Sequence, residues 1–544
     1  MSRAGTACDV VIVGGGASGA VTATRLAESG YSVICLEQGD DPNYSRLSPD
    51  QPGHELNRTR YFSANPNRRA APADYPIEVT DADIVPQMWN GVGGSTVLYA
   101  AAWHRMRPSD FRTRTVEGIG DDWPLAYADL APYYQRVEAD FGVSGVGGDP
   151  QYPDRFDLPM PPAVFGPLEQ RLAEAHNRLG WHWWPGSNAI ATARTSTLAP
   201  CVRRGTCMTG CTDGAKGSVD RTHWPRAERL GVRLIRGARA LSVETDQRGL
   251  ATGVLYVDRA GGPPHLQRAS VVVLAANGVG TPRLLLASAS KDHPDGLGNS
   301  SSGLLGKRLM MHPMSSVEGV FEDFFDSWQG PSGQRVYSLQ FADAHEANGG
   351  RARGAKWQLM GSGSPLEVAR LLHWRGRASW GEAFHREVVK RFGRSAFWTV
   401  ISEDMPYEDN RVTLDASLTD AHGLAAPKIT YRISDDTRRV LRFNEQRAAE
   451  SLTAAGAYET TTSTAPPETG WHLLGTARMG DDPATSVVDP WGRAHDVPNL
   501  YVFDGSVFPT SGPVNPTGTI AALALRNTEA LMSSSRFQPT LSDS

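Results

Sequence analysis

Six residues near the N-terminus, Gly14-Gly15-Gly16-Ala17-Ser18-Gly19, constrain this chain more than any other segment. They follow an unbroken apolar run, Val10-Val11-Ile12-Val13, and precede a stretch with Ala20, Thr24 and Ala27 at helical spacing. An unbroken apolar run is the pattern of a parallel strand covered on both faces. Gly30 stands where a helix C-cap belongs. A G-x-G-x-x-G between strand and helix is a dinucleotide-binding turn. Gly14 permits the tight turn, Gly16 lets a pyrophosphate approach the backbone, and Gly19 lets the helix pack on the strand. The phosphates then lie at the helix N-terminus, by Ala17 and Ser18, where free N–H groups and the helix dipole favour negative charge. Glu37 ends the second strand, 18 residues after Gly19, where a carboxylate can accept from ribose hydroxyls. FAD and NAD share their adenosine end, so this motif alone does not separate them.

At 544 residues the chain is too long for one hydrophobic core, which predicts two domains. Apolar residues make up 40% and charged residues 21%, an ordinary globular mixture. Net charge is −5 and the Lys and Arg residues are scattered, so neither nucleic acid nor a membrane surface is an expected partner. The sequence carries no signal-peptide pattern and no apolar stretch of membrane-spanning length, and a cytoplasmic location is the expectation. Five cysteines imply no disulfide framework.

Three further turns of small residues could hold a long cofactor. They are Gly91 to Thr96, with Gly93, Gly94 and Ser95; Ala275 to Thr281, with Ala276; and Asp504-Gly505 with Asn515 to Thr519. Residues 41–80, rich in Pro, Asn, Asp and Arg, read as irregular surface chain. Residues 313–465 mix alternating segments such as NRVTLD and KITYRIS with charged helical ones, an α+β pattern. Glycine motifs scattered from residue 14 to residue 518 can share one cofactor only if the binding domain is discontinuous. The expected fold is therefore α/β: a discontinuous Rossmann-like domain with an inserted α+β substrate domain of antiparallel sheet and helices. The expected segments are 1–112, 200–312 and 466–544 for cofactor binding, 313–465 for substrate, and a mixed lid and substrate part at 113–199.

The segments VIVGGGASG, NGVGGSTVLY, ANGVGTPRLLLAS, LLGKRLMMHP, EDNRVTLD, WHLLGTARMG and PNLYVFDGSVFPTSGPVNPTGTIAALALR, in this order, make the chain resemble the glucose-methanol-choline (GMC) family of FAD oxidoreductases. WPLAYADLAPYYQRVE and GAKGS look most like its bacterial sugar, sugar-acid and glycoside branch. The resemblance implies FAD held by the turns above, with Ala240, Pro516 and Thr517 among its contacts. It implies oxidation of a CH–OH group of a sugar, glycoside or polyol by proton abstraction and hydride transfer to flavin N5. The electrons would pass to dioxygen, a quinone-like carrier or a protein. Some members tether the flavin through a His in the GGS loop. Leu98 stands at that position here, so the FAD is expected to be non-covalent. Tyr99 departs from the Asn or His common beside it.

By order and spacing, the resemblance assigns catalysis to His472 and Asn515. A neutral imidazole, with an ordinary pKa of about 6.5, suits removal of the hydroxyl proton. Asn515 also precedes Pro516 in the manner of an N-cap and first helical residue, a structural reading that stands beside the catalytic one. His312 and His495 read as structural, His104 and His223 as undecided. Trp181, Trp183 and Trp184 read as core packing. The C-x5-C-x3-C spacing of Cys201, Cys207 and Cys211 resembles that of FAD glucose and fructose dehydrogenases carrying a three-iron cluster. The expectation here is packed thiols and no metal; a cluster-containing dehydrogenase, an NAD-dependent enzyme and an inactive flavoprotein are the alternatives.

Overall fold

A computed structural model describes residues 7–47, 62–343, 354–374, 377 and 380–534. The fold is mixed α/β, built on two large sheets, with a separate two-stranded antiparallel sheet of Arg411–Thr419 and Ala425–Thr430. The strand Cys8–Val13 is buried at every position and lies centrally in the first sheet. It pairs in parallel with Val33–Glu37 on one side and His265–Leu274 on the other. Arg233–Arg236 and Leu500–Val502 extend the parallel part. The hairpin Ala238–Thr245 and Ala251–Asp258 adds antiparallel strands. The first and last helices pack side by side against this sheet. Ala17–Glu28 meets Thr517–Ser533 through Arg25–Glu529 at 2.7 Å and Thr22–Thr528 at 3.2 Å.

The second sheet is antiparallel, in the order 459–463, 314–320, 395–402, 355–361, 336–338, 184–185. Its core side carries Val317, Trp357, Leu359, Trp398 and Val400, all buried. The helix Asp435–Ala454 covers that side with Val440, Leu441, Ala448 and Leu452. Spacings of four, seven and eight make this one helical face. Ser434 caps the helix, accepting from Thr437 N at 3.1 Å, and Asp435 and Asp436 complement the dipole in its first turn. The Trp357 indole N–H donates to Asn444 Oδ1 at 2.8 Å, fixing helix to sheet. No described helix is long and apolar enough to cross a membrane.

One expectation needs correction. Of the stretch 41–80, residues 48–61 lie outside the described residues, and the part from 62 onward is not loose surface chain. Phe62, Tyr75 and Ile77 are buried, and Arg69 pairs with Asp74. The Arg283 guanidinium lies 4.2 Å from the centre of the Tyr75 ring. Apolar anchors spaced among polar residues override the composition of the segment. The chain ends, 1–6 and 535–544, also lie outside the described residues.

Trp357 is 1% exposed and joins sheet to helix. Trp357→Ala should cost about 3–5 kcal/mol in denaturant unfolding of the holoprotein, the range for deleting a buried aromatic. A loss below 1 kcal/mol would show that this contact does not hold the second sheet together.

Candidate active site

A cavity of about 1030 Å³ lies between the two sheets. Gly14, Gly16, Ala17, Ser18, Glu37 and Ala240 line it from the first sheet and its turns. Gly94, Ser95, Ala276, Asp504, Gly505, Pro516 and Thr517 line it from the other small-residue segments. The antiparallel sheet contributes Ser316, Gln358, Met360, Phe397 and Thr399, and His472 and Asn515 share the same cavity. Segments distant in sequence thus converge on one chamber.

The chamber is suited to a long dinucleotide. A Cβ on Gly94, at φ +52°, would fall 2.7 Å from Gly16 Cα, so two backbone segments meet here with no room for side chains. Gly19 and Gly93 do not line the cavity. Gly19 lets helix and strand close, since a Cβ there would fall 2.0 Å from Gly14 O. The helices at Ala17 and Thr517 both begin without a side-chain cap, leaving N–H groups for an anionic ligand. Glu37 Oε2 accepts from Gly15 N at 2.7 Å and Oε1 from Gly39 N at 2.9 Å. Burial pushes this carboxyl upward, opposed by those backbone donors. Each oxygen retains a lone pair for a ribose hydroxyl. Leu98 is buried against Ala64 and Val97, away from the chamber wall. Tyr99 lines the chamber, and its hydroxyl donates to Gly217 O at 2.7 Å.

His472 has a partner that the sequence reading placed elsewhere. His312 Nδ1 lies 2.7 Å from His472 Nδ1, and His312 Nε2 lies 2.5 Å from Gly512 O. A carbonyl only accepts, so His312 carries its hydrogen on Nε2. Burial holds the His312 imidazole down to about 4, hence neutral at pH 7, with a lone pair on Nδ1. His472 must then donate from Nδ1. That leaves His472 Nε2 unprotonated. Burial, with smaller contributions from His312 and Lys356, holds the His472 imidazole well below the ordinary histidine value. The sequence carried no spacing signal for this pair, and His312 had read as structural. Its backbone at φ +52°, strained for a residue with a side chain, marks it only in three dimensions.

Asn515 does not serve as a helix cap. The cap position is Pro516, with no side-chain cap bond. The Asn515 carbonyl oxygen instead accepts from Lys356 Nζ at 2.6 Å. Lys356 was not singled out in the sequence, yet it sits on Ala355–Gly361, where strand alternation puts Lys356, Gln358 and Met360 on one face. That alternation was the available signal, because Gln358 and Met360 line the chamber. Asp504 also acts structurally. It accepts from Asn277 N at 3.0 Å, Thr281 Oγ1 at 2.6 Å and Ser506 N at 2.9 Å.

The other histidines singled out in the sequence, His104, His223 and His495, stand off the chamber wall. His104 contacts Gln334 Oε1 at 2.8 Å, His223 contacts Thr222 at 2.8 Å, and His495 contacts Ser486 at 2.9 Å. Trp181 and Trp183 pack against the core of the second sheet. Trp184 belongs to the edge strand 184–185. Cys201, Cys207 and Cys211 are free thiols. Their sulfurs accept backbone N–H from Arg203 and Ser332 at 3.4 Å and from Ala215 at 3.3 Å. Burial pushes the Cys201 thiol up to about 11. Among the described residues no group of three or more His, Cys, Asp or Glu is placed to hold a metal.

The GMC oxidoreductase family pattern matches residues 8–314 and 406–524. The chain belongs to the GMC oxidoreductase family, the FAD enzymes that act on CH–OH donors. It is 38% identical to 2-methyl-1,2-propanediol dehydrogenase of Mycolicibacterium austroafricanum, over 97% of this chain and 95% of that protein. It is 33% identical to paromamine 6'-oxidase of Streptomyces fradiae, over 96% and 91%. It is 29% identical to the fructose dehydrogenase large subunit of Gluconobacter japonicus, over 98% and 99%. Among solved structures, formate oxidase of Aspergillus oryzae RIB40 aligns with TM-score 0.64 and 17% identity, over 97% of this chain and 98% of that one. Pyridoxine 4-oxidase from Mesorbium loti aligns with TM-score 0.61 and 19% identity, over 96% and 99%. These likenesses are of fold.

Two expectations follow. Acid denaturation should release all yellow colour as free FAD, because Leu98 offers no atom for a tether; colour retained in the precipitate would refute this. Anaerobically purified protein should show a flavin spectrum alone and no stoichiometric iron. Iron and sulfide together would assign Cys201, Cys207 and Cys211 to a cluster.

Proposed function

We propose that this chain oxidises a CH–OH group of a small polyhydroxylated alcohol, such as a diol, sugar or glycoside, with His472 as base and Asn515 as hydrogen-bond donor to the reacting oxygen. The observation that carries this is the His312–His472 pair, which leaves an unprotonated Nε2 on a residue of the wall. That nitrogen takes the hydroxyl proton, and the positive charge gained is met by the His312 lone pair. The Asn515 amide donates to the oxygen as negative charge develops there. Bound FAD supplies the acceptor for the hydrogen that leaves carbon with its electron pair, so alcohol becomes carbonyl. Gln358, Thr399 and Ser463 offer hydroxyl-matching groups, while Met360, Phe397 and Trp471 supply apolar surface. That mixture suits a carbon skeleton bearing several hydroxyls. The compounds that the relatives are named for, 2-methyl-1,2-propanediol, paromamine and fructose, support this class.

The test is an anaerobic screen for flavin bleaching by 2-methyl-1,2-propanediol, D-glucose, D-fructose and paromamine, then reoxidation by air or by a quinone dye. Bleaching by none of these polyols, with bleaching by a simple monohydric alcohol, would overturn the substrate class. With a bleaching substrate, His472→Ala should slow flavin reduction by about 10²- to 10⁴-fold while FAD stays bound. The working form of His472 is neutral and its pKa is lowered, so protonation disables it only in acid. The wild-type reduction rate should therefore hold its plateau as pH falls through 6.5. A loss centred at 6.5 or above, or a His472→Ala variant of near wild-type rate, would remove His472 as the base.

A further inference from the structure

Lys356 is 0% exposed and sits on the face of its strand that looks into the chamber. Burying an amine is costly unless its hydrogens are matched. It donates to two amide oxygens, Asn515 Oδ1 at 2.6 Å and Gln358 Oε1 at 3.2 Å. Burial holds the ammonium well below the usual lysine range. The charged or titratable groups it influences are His104, His312 and His472. A lysine in such surroundings needs a reason beyond stability, since an apolar side chain would fill the space more cheaply.

The reason lies in the two ends of an amide. Asn515 can present either its carbonyl or its N–H₂ to the reacting hydroxyl, and the two are opposite in sign. A carbonyl there would repel the oxygen as it gains negative charge. N–H donors would stabilise it. Nothing in the helix start chooses between them, because Asn515 is not the cap. Lys356 chooses. Ammonium or neutral amine, it can donate to both neighbouring oxygens.

We infer that Lys356 is a positioning residue for the oxidation: it holds the Asn515 carbonyl turned toward the second sheet, so that the amide N–H donors face the substrate oxygen. This rests on the reading of His472 and Asn515 above. The first sheet fixes Asn515 in the chain, and the second sheet fixes which of its faces is used.

A double-mutant cycle tests it, with whichever of 2-methyl-1,2-propanediol, D-glucose, D-fructose or paromamine bleaches the flavin. Lys356→Met should keep its FAD and melt within a few degrees of the wild type, yet reduce its flavin about tenfold or more slowly at saturation. The dissociation constant for the substrate should move much less. Lys356→Gln, which keeps an N–H donor, should recover part of the rate and serves in place of Met if that variant loses FAD. Lys356→Met combined with Asn515→Ala should be no slower than Asn515→Ala alone, because the lysine acts only through the amide. Multiplying losses, or a Lys356→Met variant at wild-type rate while Asn515→Ala is slow, would overturn the role of Lys356. An unimpaired Asn515→Ala would instead overturn the reading of Asn515 on which it rests.

Discussion

The chamber depends on a buried carboxylate. Asp504 lies just beyond the edge strand Leu500–Val502 and accepts from Asn277 N, Thr281 Oγ1 and Ser506 N. Those groups belong to the helix Asn277–Ala287, which follows His265–Leu274, and to the short helical turn Gly505–Val507. One side chain thus ties the middle of the chain to its C-terminal part. Burial pushes its carboxyl upward and the donors oppose this. The energetic asymmetry of buried hydrogen bonds explains why such a tie is firm: removing one partner exposes the full desolvation penalty of the others. Backbone contacts do the rest. A Cβ on Gly278 would fall 2.5 Å from Leu473 O, next to His472, so the start of this helix also locates the proposed base.

Electrostatics in the chamber follow from what is missing around its bases. His472, His312 and Lys356 are all driven toward their neutral forms, with burial the largest cause of each shift. Lys356 and the two histidines hydrogen-bond with amides, a backbone carbonyl and another imidazole. A base kept neutral at pH 7 without a carboxylate is ready to accept a proton. Acting as the proposed base, His472 would become a cation in a low-dielectric site, and that cost would be offset only as negative charge develops on the neighbouring oxygen.

Much of the first sheet was legible in the sequence because its physics is local. A continuous apolar run, a glycine turn and a helix opening lie within residues 8–28, and parallel pairing needs little else. The alternating segments NRVTLD and KITYRIS fall in the separate two-stranded sheet, and the second large sheet was legible only as a general α+β pattern over its region. His312 and Lys356 were not. His312 matters because it meets a ring 160 residues away in sequence, and Lys356 because it meets an amide 159 residues away. Neither separation leaves a periodic trace. Asn515 shows the opposite failure. Asn before Pro is a sound local cap signal, but a lysine from another sheet competes for the same oxygen and the cap falls to Pro516.

The two sheets divide the work by the kind of group they present. The first offers backbone, with glycines and uncapped helix starts beside the buried carboxyl of Glu37, which together suit a ligand of fixed shape. The second offers side chains that alternate with its core residues, Gln358 and Met360 beside Trp357 and Leu359. A substitution on the chamber-facing positions of that sheet leaves the core-facing ones untouched, because successive side chains point to opposite faces. The chamber-facing positions Met360, Phe397 and Thr399 can therefore change with little cost to the core. Lys356 is the exception: it stands on that face and donates to Asn515, so the proposed orientation of that amide depends on it.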